Sequence, residues 1–103
     1  MIRAEFHKKN GSLCGFDISG HSGYAESGSD IVCAAVSSAV QLTVNLLDAF
    51  GCEPEVSAEE NIIRCIVRTA EYAQFQLLNQ LKAHIQSVSE EFPETIRITI
   101  SEV

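Results

Sequence analysis

A chain of 103 residues, 46% hydrophobic and 20% charged, has room for one folded domain and not for a second core, so residues 1–103 are read as a single domain. That composition excludes a disordered chain. A net charge of −7 with only seven Lys and Arg excludes the positive footprint that a phosphate backbone requires, so no direct nucleic-acid partner is expected.

The N-terminal MIRAEFHKKNG lacks the continuous apolar core of a signal peptide, and no apolar run approaches the roughly 18 residues of a membrane span. A cytoplasmic protein without membrane contact is the expectation. Cys14, Cys33, Cys52 and Cys65 show no CxxC or other metal-ligand spacing, which points to reduced thiols and to no metal and no cofactor.

Ile2, Ala4 and Phe6 alternate with polar neighbours, as do Cys14, Phe16 and Ile18, and both runs read as half-buried strands. A two-residue Asn10–Gly11 turn would put the two apolar sets on opposite faces. A three-residue turn, Lys9–Asn10–Gly11, pairs Phe6 with Cys14 and Ala4 with Phe16 on one face and is therefore preferred. After a Gly- and Ser-rich loop, Asp30 is a natural N-cap for a helix whose Val32, Val36, Ala39, Thr43, Leu46 and Phe50 follow helical spacing, a stripe that Val40, Val44 and Leu47 widen. Gly51 sits where a left-handed C-terminal cap belongs.

A short edge strand is expected over Glu53–Val56 and another strand over Ile62–Arg68, with Ile63, Cys65 and Val67 inward. Thr69 caps a second helix with Phe75, Leu78, Leu81, Ile85 and Val88 on one face, Pro93 stops it, and Ile96, Ile98 and Ile100 alternate in a last strand. The order is ββαββαβ. It predicts an α+β two-layer sandwich, an antiparallel sheet with both helices on one face. Ile62 and Ile66 on the open face invite a second copy, so a homodimer is expected.

With Asp30 as N-cap, Cys33 lies in the first helical turn, where unpaired N–H groups and the helix dipole favour an anion. A thiolate there is a nucleophile, and the same amides could stabilise the oxyanion formed when it attacks a carbonyl. His21 ends the second strand, and the loop can fold back to bring its imidazole near Cys33 as general base and acid. Gly20, Gly23 and Gly28 make that loop deformable, so the pair is expected to stay apart until a substrate closes it. Position alone favours a packed core cysteine and a solvated loop histidine over such a pair. A metal held by His21, Glu26, Asp30 and Cys33 is a weaker reading, because the set lacks close-spaced pairs.

Residues 20–37, GHSGYAESGSDIVCAAVS, closely resemble the signature of the bacterial ribosomal-processing cysteine protease family, Prp. Gly20, His21, Gly23, Tyr24, Ala25, Gly28, Asp30, Ile31, Val32, Cys33, Ala34 and Ser37 stand where that pattern needs them, and Ser22 replaces a common alanine. The resemblance implies an endopeptidase that removes a short N-terminal extension, ending in aromatic residues, from the precursor of a large-subunit ribosomal protein. It also implies Cys33 as nucleophile, His21 as base and acid, a glycine loop over the substrate, and a homodimer. From the residues themselves, Ser37 lies one turn beyond Cys33, and Ala34 leaves room beside it for a bulky aromatic. Two rival readings are a non-catalytic ribosome-associated peptide-binding module and a small-anion site at the helix start.

Overall fold

In the computed structural model, which describes residues 1–26, 30–68 and 72–103, the chain runs β1 (Ile2–Lys9), β2 (Ser12–Ser19), α1 (Ile31–Ala49), β3 (Glu55–Glu59), β4 (Ile62–Ile66), α2 (Tyr72–Glu91) and β5 (Ile96–Glu102). The expected ββαββαβ order is found. Thr69, the expected cap of the second helix, and Gly28 of the loop lie outside the described residues.

The first hairpin corrects the expected register. Asn10 (φ 54°) and Gly11 (φ 82°) are both left-handed, as a two-residue type I′ turn demands, and Lys9 pairs with Ser12. A bulge then changes the pairing: His7 faces Gly15 while Lys8 faces Leu13, leaving Cys14 as the extra residue. The bulge returns the apolar sets to one face, with Phe6 opposite Phe16 and Ala4 opposite Ile18. Phe6 and Phe16 are fully buried, their ring centroids 6.2 Å apart. The carbonyls of the bulged segment find partners further along the chain: Val67 N–H donates to Cys14 O (2.8 Å), and the buried Gln74 amide donates to Leu13 O (3.2 Å). Gln74 takes a place on the inner stripe of α2 beside Leu78, Leu81, Ile85 and Val88, whereas Phe75 is only half-buried.

The strand order is β3-β4-β2-β1-β5. Every neighbouring pair is antiparallel except β1–β5, so the expected antiparallel sheet is mixed at one edge. The cause is the connection: a helix crossing back over the sheet delivers the next strand in the direction of the last one. Thus α2 carries the chain from β4, over β2 and β1, to a β5 that runs parallel to β4 and β1. The short edge strand lies at Glu55–Glu59 and not Glu53–Val56, because the turn to β4 closes tightly at Glu60–Asn61, with Asn61 at φ 64°.

One core holds the layers together, with Ile2, Ala4, Phe6, Phe16, Ile18 and Cys65 of the sheet under Val32, Val36, Val40 and Leu47 of α1 and the inner stripe of α2. Gly51 (φ 75°) caps α1 as expected: its N–H reaches Asp48 O (3.0 Å) and that of Cys52 reaches Leu47 O (2.9 Å), turning Cys52 into the core. Phe50 is exposed, outside the stripe to which its spacing assigned it. By length and composition alone α1 could cross a membrane, with a mean hydropathy of 1.5, contrary to the sequence expectation. Here five of its residues are buried against the fold, and Gln41, Asn45 and Asp48 lie on the exposed side. The outer sheet face is more charged than Ile62 and Ile66 suggested, since it also carries Arg3, Glu5, His7, Asp17, Arg64 and Arg97.

Candidate active site

β2 ends where Gly20 (φ 86°) turns the chain out of the sheet, its N–H bonded to Asn61 O at 3.0 Å. A Cβ at Gly20 would stand 2.6 Å from the Met1 carbonyl oxygen, so only glycine fits this corner. His21 follows directly and is exposed. Asp30, the N-cap of α1, accepts at Oδ1 from the N–H groups of Val32 and Cys33, both at 3.0 Å, which settles the sulfur of Cys33 in the first turn. The local sequence requires this much, because a carboxylate preceding a helix has free amides within reach two and three residues on.

Both residues line one cleft of about 660 Å³, a size suited to a few residues of an extended peptide. Its lining is largely apolar, from Ile2, Ile18, Val36 and Val40, and the β3–β4 turn contributes Glu59, Asn61 and Ile62. Gly20, Gly23, Asp30, Ala34 and Ser37 also face the cleft. Tyr24 does not line it: its ring packs edge-on against Phe92 at a centroid distance of 5.2 Å. Ser22 does not line it either, being buried beneath the loop. Its N–H donates to Cys33 Sγ (3.4 Å), its hydroxyl donates to Asp30 Oδ2, and that hydroxyl accepts from Tyr24 N–H (3.1 Å). Sequence reasoning placed Ser22 among the substrate-loop residues and missed these bonds, for which no local pattern gives a signal.

Of the four cysteines, Cys33 alone lines the cleft. Cys52 and Cys65 are fully buried, and burial pushes the Cys65 thiol up to about 11 and raises that of Cys14. Those thiols are poor nucleophiles at neutral pH. Asp30 moves the other way: the Ser22 hydroxyl first, then the Cys33 amide, hold its carboxyl down at about 2 against the opposing effect of burial. It stays ionised at any working pH. Among the described residues, no hydrogen bond or ion pair joins His21 to Cys33, and none joins Ser37 to the sulfur.

The expectation that the helix-start amides serve an oxyanion is corrected for three of them, which are already engaged. Those of Val32 and Cys33 serve the Asp30 carboxylate, and that of Ala34 serves Asp30 O (3.1 Å). The Ser22 amide, already on the sulfur, is the donor beside the reacting atom. A separate gathering of donor groups, Glu5, His7 and Asp17, lies on the outer sheet face. Asp17 is occupied there by His7 Nε2 (3.4 Å) and Arg64 Nε (3.7 Å).

The family model described as cysteine protease Prp matches residues 1–97. No curated protein matches the chain significantly. Among solved structures, the ribosomal processing protease Prp of Staphylococcus aureus is similar in two complexes. With a covalently linked product peptide the TM-score is 0.92 at 22% identity, and with a substrate peptide it is 0.87 at 21% identity; each match covers 98% of this chain and 100% of the other. A Streptococcus mutans protein is 29% identical with a TM-score of 0.85, covering all of this chain and 96% of the other.

Proposed function

Because this chain belongs to the family of the cysteine protease Prp, we propose that Cys33 is its nucleophile and His21 its general base and acid, acting on the N-terminal extension of a large-subunit ribosomal protein precursor. One observation carries this reading: a single cysteine of four lines the cleft, at a helix start, with a backbone N–H on its sulfur and a histidine lining the same cleft. The S. aureus relative, seen with substrate and product peptides, supplies the substrate class. Cytoplasmic location and a homodimer belong to the same proposal.

The cleft accounts for the order of events. An extended peptide lies along it with apolar side chains against Ile2, Val36 and Val40, and Ala34 leaves space beside the sulfur. The Cys33 thiolate attacks the scissile carbonyl carbon, a C–S bond forms, and the carbonyl oxygen becomes an oxyanion that the Ser22 amide can reach. Imidazolium at His21 gives its proton to the departing amine as the C–N bond breaks. Water, deprotonated by His21, then attacks the thioester and releases the acid with the free thiol. Asp30 takes no proton in this sequence; it orients the helix start and the loop.

Incubation with a peptide spanning the extension junction, followed by mass analysis, tests the proposal. The wild type is expected to give two products, while Cys33→Ala and His21→Ala lose at least a hundredfold in rate. Binding of the peptide by both wild type and Cys33→Ala, with no product from either, would show a non-catalytic peptide-binding module instead.

A further inference from the structure

The segment that carries His21 is tied to the helix that carries Cys33 through one residue. Between residues 20 and 26 every residue is exposed except Ser22, which is 4% exposed. Its hydroxyl donates to Asp30 Oδ2 and accepts from Tyr24 N–H, and its own N–H donates to Cys33 Sγ. The other oxygen of Asp30 meanwhile holds the amides of Val32 and Cys33. One carboxylate therefore fixes the helix start with one oxygen and the loop with the other.

We propose that Ser22 is a positioning residue, whose hydroxyl latches the loop onto Asp30 and thereby holds the Ser22 N–H on the Cys33 sulfur and the adjoining His21 at the cleft. A donor N–H favours the thiolate over the neutral thiol. The amide cannot be deleted by substitution, but its placement is lost when the hydroxyl that anchors it is removed. Alanine leaves the backbone intact and removes only the latch. The titratable groups that line the cleft around the sulfur are His21 and Asp30 from the loop side and Glu59 from β3. Removing the Ser22 hydroxyl lets the Asp30 carboxyl relax toward its ordinary 3.8, which still leaves it ionised over the range of the test. The effect on turnover rests on the reading of Cys33 as nucleophile; the effect on the sulfur does not.

The test is alkylation of Cys33 from about pH 5 to about pH 9, read by mass analysis of the peptide that contains it and accompanied by thermal melting of each variant. Ser22→Ala is expected to move the profile to higher pH and to slow alkylation about tenfold below the wild-type midpoint, the loss of one charge-assisted hydrogen bond. Ser22→Thr keeps the hydroxyl and is expected to follow the wild type. On the junction peptide, Ser22→Ala should lower kcat with little change in KM. An unchanged alkylation profile in Ser22→Ala would overturn the latch, as would a Ser22→Thr variant that melts like the wild type yet reacts like the alanine. A wild type that cleaves no junction peptide, with the profile still moved by Ser22→Ala, would sink the protease reading and leave the latch supported.

Discussion

At the scale of single residues, the site turns on how Asp30 divides its two oxygens between the first amides of α1 and the Ser22 hydroxyl. Asparagine keeps a capping oxygen and can still hydrogen-bond Ser22, so Asp30→Asn should retain most of the junction-peptide activity. Asp30→Ala loses both partners and should lower the melting temperature and the cleavage rate together. The carboxyl is held at about 2, below its ordinary 3.8, so the stability it contributes is present above pH 4 and is lost as pH falls from about 4 toward 2. Melting followed over that range should show a steeper acid loss in the wild type than in Asp30→Asn, and parallel curves would contradict the assignment. The cap and the place of Cys33 were legible in the sequence because both depend on residues two and three apart. The Ser22 bonds were not, because they depend on the path of a glycine-rich loop that no local pattern dictates. Ser22 stands where the resembled pattern commonly has alanine, and its hydroxyl is what the fold uses.

Between elements, β2 and β4 leave no room for a side chain at Gly15. A Cβ there would stand 2.3 Å from the Cys65 carbonyl oxygen, backbone that has no room to yield. Gly15→Ala should therefore destabilise the protein by roughly 1–3 kcal/mol, the usual range for overpacking, and denaturant unfolding with an unaltered slope would measure it. An effect no larger than that of an exposed strand glycine would contradict this account. The same strand shows why register escapes sequence reasoning. Alternation demanded that Phe6 and Phe16 share a face, and it did so correctly; one extra residue at Cys14 meets that demand without changing the Asn10–Gly11 turn. The bulge in turn explains a glutamine on the inner face of α2. Its amide answers a carbonyl far away in sequence, so periodicity alone favoured Phe75.

Across the whole molecule, the charge of −7 bears on how substrate arrives. Fields of one sign speed encounter with a partner of the other sign, and salt screens them. Raising salt from about 50 to about 200 mM should lower kcat/KM severalfold for a full-length precursor with a basic body and leave that for a short neutral peptide nearly unchanged. Equal losses on both would place the salt effect inside the cleft. Layering, element order and the faces of the strands were readable from alternation and helical spacing. The parallel pairing of β5 with β1 was not, since it follows from which strands α2 passes over, a property of the assembled sheet.

That pairing also sets a timetable. β1 is the first strand to be synthesised, and its outer neighbour, β5, is the last. Throughout translation the nascent sheet keeps an open edge at β1, with Ile96 and Ile98 still missing from its core. Cys33 emerges before the β3–β4 turn that helps line its cleft, and the fifth strand of the sheet comes later still. The thiol of Cys33 therefore precedes in the chain both the turn that completes its cleft and the strand that completes the sheet beneath it.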